Sequence, residues 1–424
     1  MRDVFAKIQA STTRADAMKR DRTYPYGTVL AERRGPVAVV GGREVIMASS
    51  NDYLGLSVDP RVVEGAARAA RRYGASCTGA PIMNGTTGIH RELEERLAVF
   101  LGREAAVLAP SGFQANLALA TLLGRGDTVF ADRANHASLV DAARLGFGGH
   151  RRYRHADLGH LRRLLEATDP DCGRLIVTDG LFSMEGDVAD LPALKRLAGE
   201  QGARLVVDCA HDMGLLGPNG RGTPEVQGVA PDLVTATFSK CFGSVGGVLA
   251  GDREVVDFLR HHARSLVFSA ALPPPSVGAA LAALEIIESE PELRERVLGL
   301  SARLREGLRA EGFETAGDAP IVPVFVRDDE RCRAMWRALL DEGVLVNAVS
   351  SPGVPVGGEL VRVAVTARHT GEQVDAIVAA FVRARAQMPW RAAMPSSSES
   401  SPKVNSQDGS SLRAAPSAQA RMEG

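Results

Sequence analysis

At 424 residues, 45% hydrophobic and 24% charged, with a formal net charge of -1, the chain has the composition of a soluble globular protein large enough for two domains. The balanced charge leaves no basic excess to suggest nucleic acid. Its five cysteines, Cys77, Cys172, Cys209, Cys241 and Cys332, form no CxxC pair or zinc-ligand spacing, so neither a disulfide framework nor a metal site is expected. No apolar run reaches the roughly 18 residues of a membrane span. The N-terminus MRDVFAKIQASTTRADAMKRDR lacks the apolar core of a signal peptide, so a cytoplasmic location is expected.

In chain order, residues 1–45 read as a lead segment: a charged helix, then an extended stretch whose Gly41-Gly42 marks a turn between short strands. Residues 46–285 read as a large domain. Helical patterns such as DPRVVEGAARAARRYG and HRELEERLAVFLG alternate there with short apolar runs, AAVLAP, DTVFAD, RLIVTDG, RLVVDCA and LVTATF. Strict alternation implies an α/β fold, a mainly parallel sheet with helices on both faces and ligands collected at the carboxyl ends of its strands. Residues 286–390 read as a smaller α+β domain. It opens on a long helical run, ALEIIESEPELRERVLGLSARLREGLRAEGF, continues with strands at IVPVFVRD, VLVNAVS and LVRVAVTA, and closes on the helix EQVDAIVAAFVRARAQ. The Ser-rich tail 391–424 cannot bury a core and is expected to be disordered.

Within that frame Lys240 stands out. The chain uses arginine almost wherever it needs a cation and keeps only five lysines. Lys7, Lys19, Lys195 and Lys403 fall in polar surroundings, but Lys240 ends the apolar run LVTATFS and opens the glycine-rich CFGSVGG. Only an amine that can lose its proton condenses with an aldehyde; a guanidinium stays charged. Asp208 and His211 follow another strand, Ser183 a third and His136 a fourth, while PSGFQANLALA supplies a small turn into a helix, where backbone N–H groups with Thr237 and Ser239 could hold a phosphate. Singly these residues are ordinary, since an Asp after a strand is commonly a helix cap. Together at strand ends they match what pyridoxal 5'-phosphate needs: an amine, a carboxylate for the pyridine nitrogen, ring packing and a phosphate cradle.

The strings SSNDYLGLS, NGTTGIHRELEERLAVFLG, SGFQANLAL, ADRANHASLVDAA, GLFSMEGD, VVDCAH, TFSK and VRVAVTARHT resemble those of the α-oxoamine synthases over roughly residues 20–388. That family includes serine palmitoyltransferase, 8-amino-7-oxononanoate synthase, glycine C-acetyltransferase and 5-aminolevulinate synthase. The resemblance implies a fold type I pyridoxal-phosphate enzyme, a homodimer with active sites at the subunit interface. It makes Lys240 the Schiff-base lysine, Asp208 the partner of the pyridine nitrogen and His136 the imidazole stacked on the ring. His211 and Ser183 would bond the phenolic oxygen, and Ala210 would pack on the other ring face. Gly112, Phe113, Thr237 and Ser239 match the phosphate side. Ser269 matches a phosphate contact from the partner subunit, Asn51 a cross-subunit residue near the substrate, and Arg362 the anchor of the amino-acid carboxylate. Without the resemblance, Arg362 reads as one more arginine on an edge strand.

The implied reaction is a decarboxylating condensation of serine, glycine or alanine with an acyl thioester of coenzyme A or a carrier protein. Three positions depart from the family pattern. Ser350 stands where the biotin and sphingolipid members carry a second arginine, Cys209 follows Asp208, and Asp212 follows His211 where Ser or Gly is common. TFSK and CTGAPIMNGT look more like serine palmitoyltransferases and related long-chain or carrier-protein-dependent synthases than like the glycine-specific members, although Ala80-Pro81 replaces the usual Ser-Arg. An aminotransferase of the same fold would use the same cofactor residues. A regulatory subunit without catalysis should lack the lysine.

Overall fold

The computed structural model describes residues 3, 5, 6 and 8–388, so the tail expected to be disordered lies outside the described residues. The helix Ile8–Arg20 leads into a meander of β1 (Glu32–Arg34), β2 (Val37–Val40) and β3 (Arg43–Met47). Gly41 and Gly42 turn β2 into β3 with φ of 55° and 78°, the left-handed conformation that a two-residue hairpin turn requires. β3 then pairs in parallel with β12 (Val344–Leu345) through Ile46 and Met47. The boundary expected at residue 45 thus runs through a strand.

The central sheet has seven strands: β4 (Ala105–Ala109), β5 (Thr128–Asp132), β6 (Gly149–Tyr153), β7 (Arg174–Asp179), β8 (Arg204–Asp208), β9 (Leu233–Thr237) and β10 (Gly247–Gly251), in the order β4-β10-β9-β8-β7-β5-β6. β4, β5, β9 and β10 are buried along their whole length, which is why β4, β5 and β9 read as short apolar runs. Two of the helices between them start on capping carboxylates, Asp157 and Asp190. Asp190 Oδ1, for example, accepts from Ala193 N at 3.0 Å at the head of Leu191–Glu200.

Strict alternation fails at one point. β10 follows β9 through a glycine-rich loop without a helix and runs antiparallel to both β9 and β4. Its sequence GVLAG, glycine at both ends, looks like more of the preceding loop. The other six strands point the same way, so their carboxyl ends share one edge.

The long helical run also divides, into Pro274–Ser289 and Glu292–Ala310. Pro291 has no N–H to give, and it pushes Glu290 out of helical conformation, to φ -122° and ψ 68°. Beyond it a three-stranded antiparallel sheet forms from β11 (Ile321–Phe325), β13 (Asn347–Val349) and β14 (Leu360–Ala364), with β14 in the middle. Arg362 is therefore on a central strand, paired with Pro323 and Asn347, and not on an edge. Backbone bonds from Ala364 N to Ala48 O and from Ala367 N to Tyr53 O lash this sheet to the segment carrying Asn51.

Candidate active site

At the shared edge, the segments leaving five strands enclose a cavity of about 250 Å³. β4 contributes Ser111, Gly112 and Phe113 with Asn116 behind them; β5 contributes His136 and Ser138; β7, Asp179 and Leu181; β8, Asp208, Ala210 and His211; β9, Thr237, Ser239 and Lys240. Val245 and Gly246, leading into β10, complete the wall. Nine of the expected residues thus meet in one place: Gly112, Phe113, His136, Asp208, Ala210, His211, Thr237, Ser239 and Lys240. A second cavity, of about 300 Å³, lies at the opposite edge, lined by Leu175, Arg204 and Leu233 among others but by no lysine or histidine.

Burial dominates the electrostatics. It drives the Lys240 amine down to about 8, against the pull of Asp208 and Asp179, so a substantial fraction is neutral near pH 8. His136 is lowered by burial, with Asp208 opposing and Lys240 reinforcing. His211 is pushed well below the usual imidazole range by burial and then by the charges of Lys240 and Arg362. Asp179 is raised well above the carboxylate range by burial and by Asp208, its register partner on the next strand.

Hydrogen bonds hold Asp208, His211 and the backbone at His136 in place. Asp208 Oδ1 accepts from Ala210 N at 3.0 Å, and its Oδ2 from Asn116 Nδ2 at 2.7 Å. His136 N donates to Asp179 Oδ2 at 2.9 Å, pinning the imidazole's backbone to β7. Gly112 presses on β9: a Cβ there would lie 2.7 Å from Thr237 Cβ, so only glycine lets the turn come this close. Thr237 Oγ1 and Ser239 Oγ lie 2.9 Å apart beside it, forming a small hydroxyl-lined cradle.

Four expected residues do not line the cavity of this chain. Arg362 is 5% exposed and connects to it indirectly. Its Nε donates to Ser183 O at 2.7 Å and its Nη2 to Tyr53 Oη at 3.1 Å, while Tyr53 Oη is 2.7 Å from His211 Nδ1. Ser183 thus offers its carbonyl to Arg362. Asn51 Oδ1 also meets Tyr53 Oη, at 3.3 Å. Ser269 Oγ accepts from Gln114 Nε2 at 2.8 Å, next to the Gly112–Ala118 helix. Among the described residues no carboxylate lies within ion-pair distance of Arg362, as is also true of the equally buried Arg294 and Arg305, which donate to backbone carbonyls.

Sequence reasoning missed Asn116, Ser138, Asp179 and Tyr53, although each stands inside a quoted motif. It also passed over His155, whose Nδ1 and Nε2 lie 2.9 Å and 2.8 Å from Asp132 and Asp187 carboxylate oxygens. These contacts raise its pKa to about 10. The ligand atoms of His155, Glu185 and Asp187 lie within 4.8 Å of one another, but an imidazolium has no lone pair for a metal. His155 is a clamp on the loop that carries Ser183.

Comparison with known proteins decides the family. The model of the aminotransferase class I and II family matches residues 43–381. The serine palmitoyltransferase of Sphingobacterium spiritivorum is 41% identical over 372 residues, 87% of this chain and 93% of the relative. The chain belongs to the α-oxoamine synthases. The 8-amino-7-oxononanoate synthase of Anaeromyxobacter dehalogenans is 44% identical over 360 residues, 84% of this synthase and 90% of the relative. In architecture the synthase superposes on a serine palmitoyltransferase variant from S. paucimobilis with a bound PLP–myriocin aldimine at a TM-score of 0.88 and 33% identity, covering 91% of this chain and 99% of that one. Among the described residues no helix is long and apolar enough to cross a membrane.

Proposed function

We propose that this synthase is a pyridoxal-phosphate-dependent acyltransferase of the serine palmitoyltransferase type, condensing a small amino acid with an acyl thioester and releasing CO₂ and the free thiol to leave an α-amino ketone. The observation that carries the reading is the convergence of Lys240, Asp208 and His136 on one cavity, with Arg362 joined to it through Tyr53 and, among the described residues, no carboxylate within ion-pair distance of that arginine. The cavity residues fit the cofactor: an amine in Lys240, a carboxylate in Asp208, an imidazole in His136, a small side chain in Ala210, and the cradle of Gly112, Phe113, Thr237 and Ser239. Bound there, pyridoxal phosphate supplies an electron sink for negative charge at the amino acid's α-carbon.

The protein's own groups do the rest. Arg362 spends two of its five N–H donors on Ser183 and Tyr53, leaving three for a substrate carboxylate. Fixing that carboxylate holds the α-hydrogen where Lys240 can take it. The amine is suited to this, because at about 8 it exchanges a proton near neutral pH. His211, kept neutral by burial and bonded to Tyr53, can share a hydrogen bond with the cofactor's phenolic oxygen. His136 can donate a hydrogen bond to the substrate carboxylate or to the thioester carbonyl.

A homodimer suits the residues that stand outside the cavity. Ser269 and Asn51 can serve a neighbouring subunit, and Phe268 beside Ser269 is 76% exposed, an apolar side chain that a partner would cover. A cytoplasmic enzyme using coenzyme A or carrier-protein thioesters is the corresponding setting. The identity to the Anaeromyxobacter enzyme favours a second reading, an 8-amino-7-oxononanoate synthase, which differs in the acyl group used.

Borohydride reduction of the holoenzyme followed by peptide mapping tests the assignment. The cofactor should be found on Lys240, and Lys240→Ala should fold, bind pyridoxal phosphate without covalent attachment and turn over nothing. Label on another lysine, or near wild-type turnover by Lys240→Ala, would sink it.

A further inference from the structure

Behind the Asp208 carboxylate lies a buried amide that none of the roles above uses. Asn116 is 2% exposed and belongs to the helix Gly112–Ala118. Its Oδ1 accepts from Thr235 Oγ1 at 2.6 Å. Its Nδ2 donates to Asp208 Oδ2 at 2.7 Å and to Ser138 Oγ at 2.8 Å. Ser138 Oγ in turn lies 2.7 Å from His136 Nδ1, and Ser138 N donates to the same ring nitrogen at 3.3 Å.

The direction of every hydrogen in this chain follows. An ionised carboxylate only accepts, so the NH₂ end of the amide must face Asp208; turned over, two acceptor oxygens would meet at 2.7 Å. The carbonyl end then meets Thr235, which donates. Of the two amide hydrogens one goes to Asp208 and the other to Ser138. Ser138 oxygen, having accepted, sends its own hydrogen to His136 Nδ1, where the Ser138 backbone N–H also points. Nδ1 is therefore the bare nitrogen and Nε2 carries the proton.

We propose that Asn116 is a positioning residue whose single amide both aims the Asp208 carboxylate into the cavity and, through Ser138, holds His136 as the neutral, Nε2-protonated imidazole. The cofactor's ring nitrogen partner and the imidazole on the ring face are thereby set by one group. This rests on the pyridoxal-phosphate reading for its purpose, not for its geometry. The surroundings of His136 agree with a neutral ring: burial and Lys240 lower its proton affinity, while Asp208 and Asp141 only partly oppose them.

The test is ¹⁵N NMR of the full chain labelled at histidine, without cofactor, reading the two ring nitrogens from pH 6 to 9. Loss of one signal in His136→Gln identifies His136 among the nine histidines. The wild type should show a bare Nδ1 and protonated Nε2 throughout. Ser138→Ala should mix the two tautomers. Asn116→Leu should do the same and weaken pyridoxal phosphate binding by about tenfold or more, the effect of losing one charge-assisted hydrogen bond to a buried carboxylate. Should Asn116→Leu fail to fold, Thr235→Val removes the donor on the carbonyl side and should mix the tautomers as well. A wild-type ring protonated at Nδ1, or an unchanged tautomer in both Ser138→Ala and Thr235→Val, overturns the proposal. A wild type that bound no pyridoxal phosphate would instead overturn the cofactor reading and leave the tautomer result standing.

Discussion

Asp212 should destabilise this protein at neutral pH, and replacing it with asparagine should make the fold more stable. The side chain is fully buried between Gly180 and Gly222, where a Cβ on either glycine would approach its carboxyl group at 2.5 Å and 3.1 Å. Oδ2 accepts from Thr223 N at 2.7 Å, while Oδ1 meets no donor. Burial raises the carboxyl to about 6 despite the help from Thr223. Against an unfolded value near 3.8, that difference of about two units is worth about 3 kcal/mol once the group ionises in both states. The sign follows from linkage. A folded pKa above the unfolded one means that the relative stability is fully present below about pH 4 and is lost as pH rises through about 6. Urea unfolding of the cofactor-saturated wild type and Asp212→Asn, compared from pH 4 to 8, should therefore give nearly equal stabilities at the acid end. The variant should lead by up to about 3 kcal/mol at pH 7.5. A difference independent of pH, or a variant weaker at pH 7.5, would refute the reasoning.

Three other outcomes are expected. Gly112→Ala forces a methyl to within 2.7 Å of Thr237 Cβ, so pyridoxal phosphate affinity, followed by fluorescence titration, should fall by about tenfold or more, and an unchanged affinity would remove this turn from the cradle. Arg362→Ala should raise the apparent KM for the amino acid by about 10²-fold with a smaller effect on the acyl thioester; equal losses for both substrates would point to another carboxylate anchor. His155→Gln loses an imidazolium held at about 10 by Asp132 and Asp187, and because a raised histidine stabilises below its folded pKa, the thermal midpoint should drop at pH 7 and much less above pH 10. Equal drops at both pH values would mean that the clamp is steric.

The parts of the site legible in the sequence were those with distinctive chemistry at strand ends. Lys240 could be picked out because the chain otherwise prefers arginine, and Asp208, His136 and His211 because each follows an apolar strand in a motif. Asn116 and Ser138 gave no such signal, since a buried Asn and a Ser in a first helical turn look like ordinary polar surface or caps until folding brings Thr235, 119 residues away, onto the same amide. Arg362 was named only by family resemblance; read alone it suggested an edge strand, and its burial in the middle of a sheet depends on β11 and β13 pairing with it on either side. The same limit hid the pairing of β3 with β12, separated by some 300 residues. β10 escaped notice for a local reason, because glycine at both ends of a five-residue strand imitates a loop.

The reaction proposed for this synthase releases one CO₂ and one thiol for each α-amino ketone formed. The most direct measurement is to incubate the pyridoxal-phosphate-loaded protein with carboxyl-labelled serine, glycine or alanine and palmitoyl-CoA, and to count labelled CO₂ and free thiol together. Equal amounts of both are expected, dependent on one of the three amino acids and abolished in Lys240→Ala. Amino-group transfer to a keto acid without CO₂ or thiol release, across shorter and longer acyl-CoA donors as well, would contradict it.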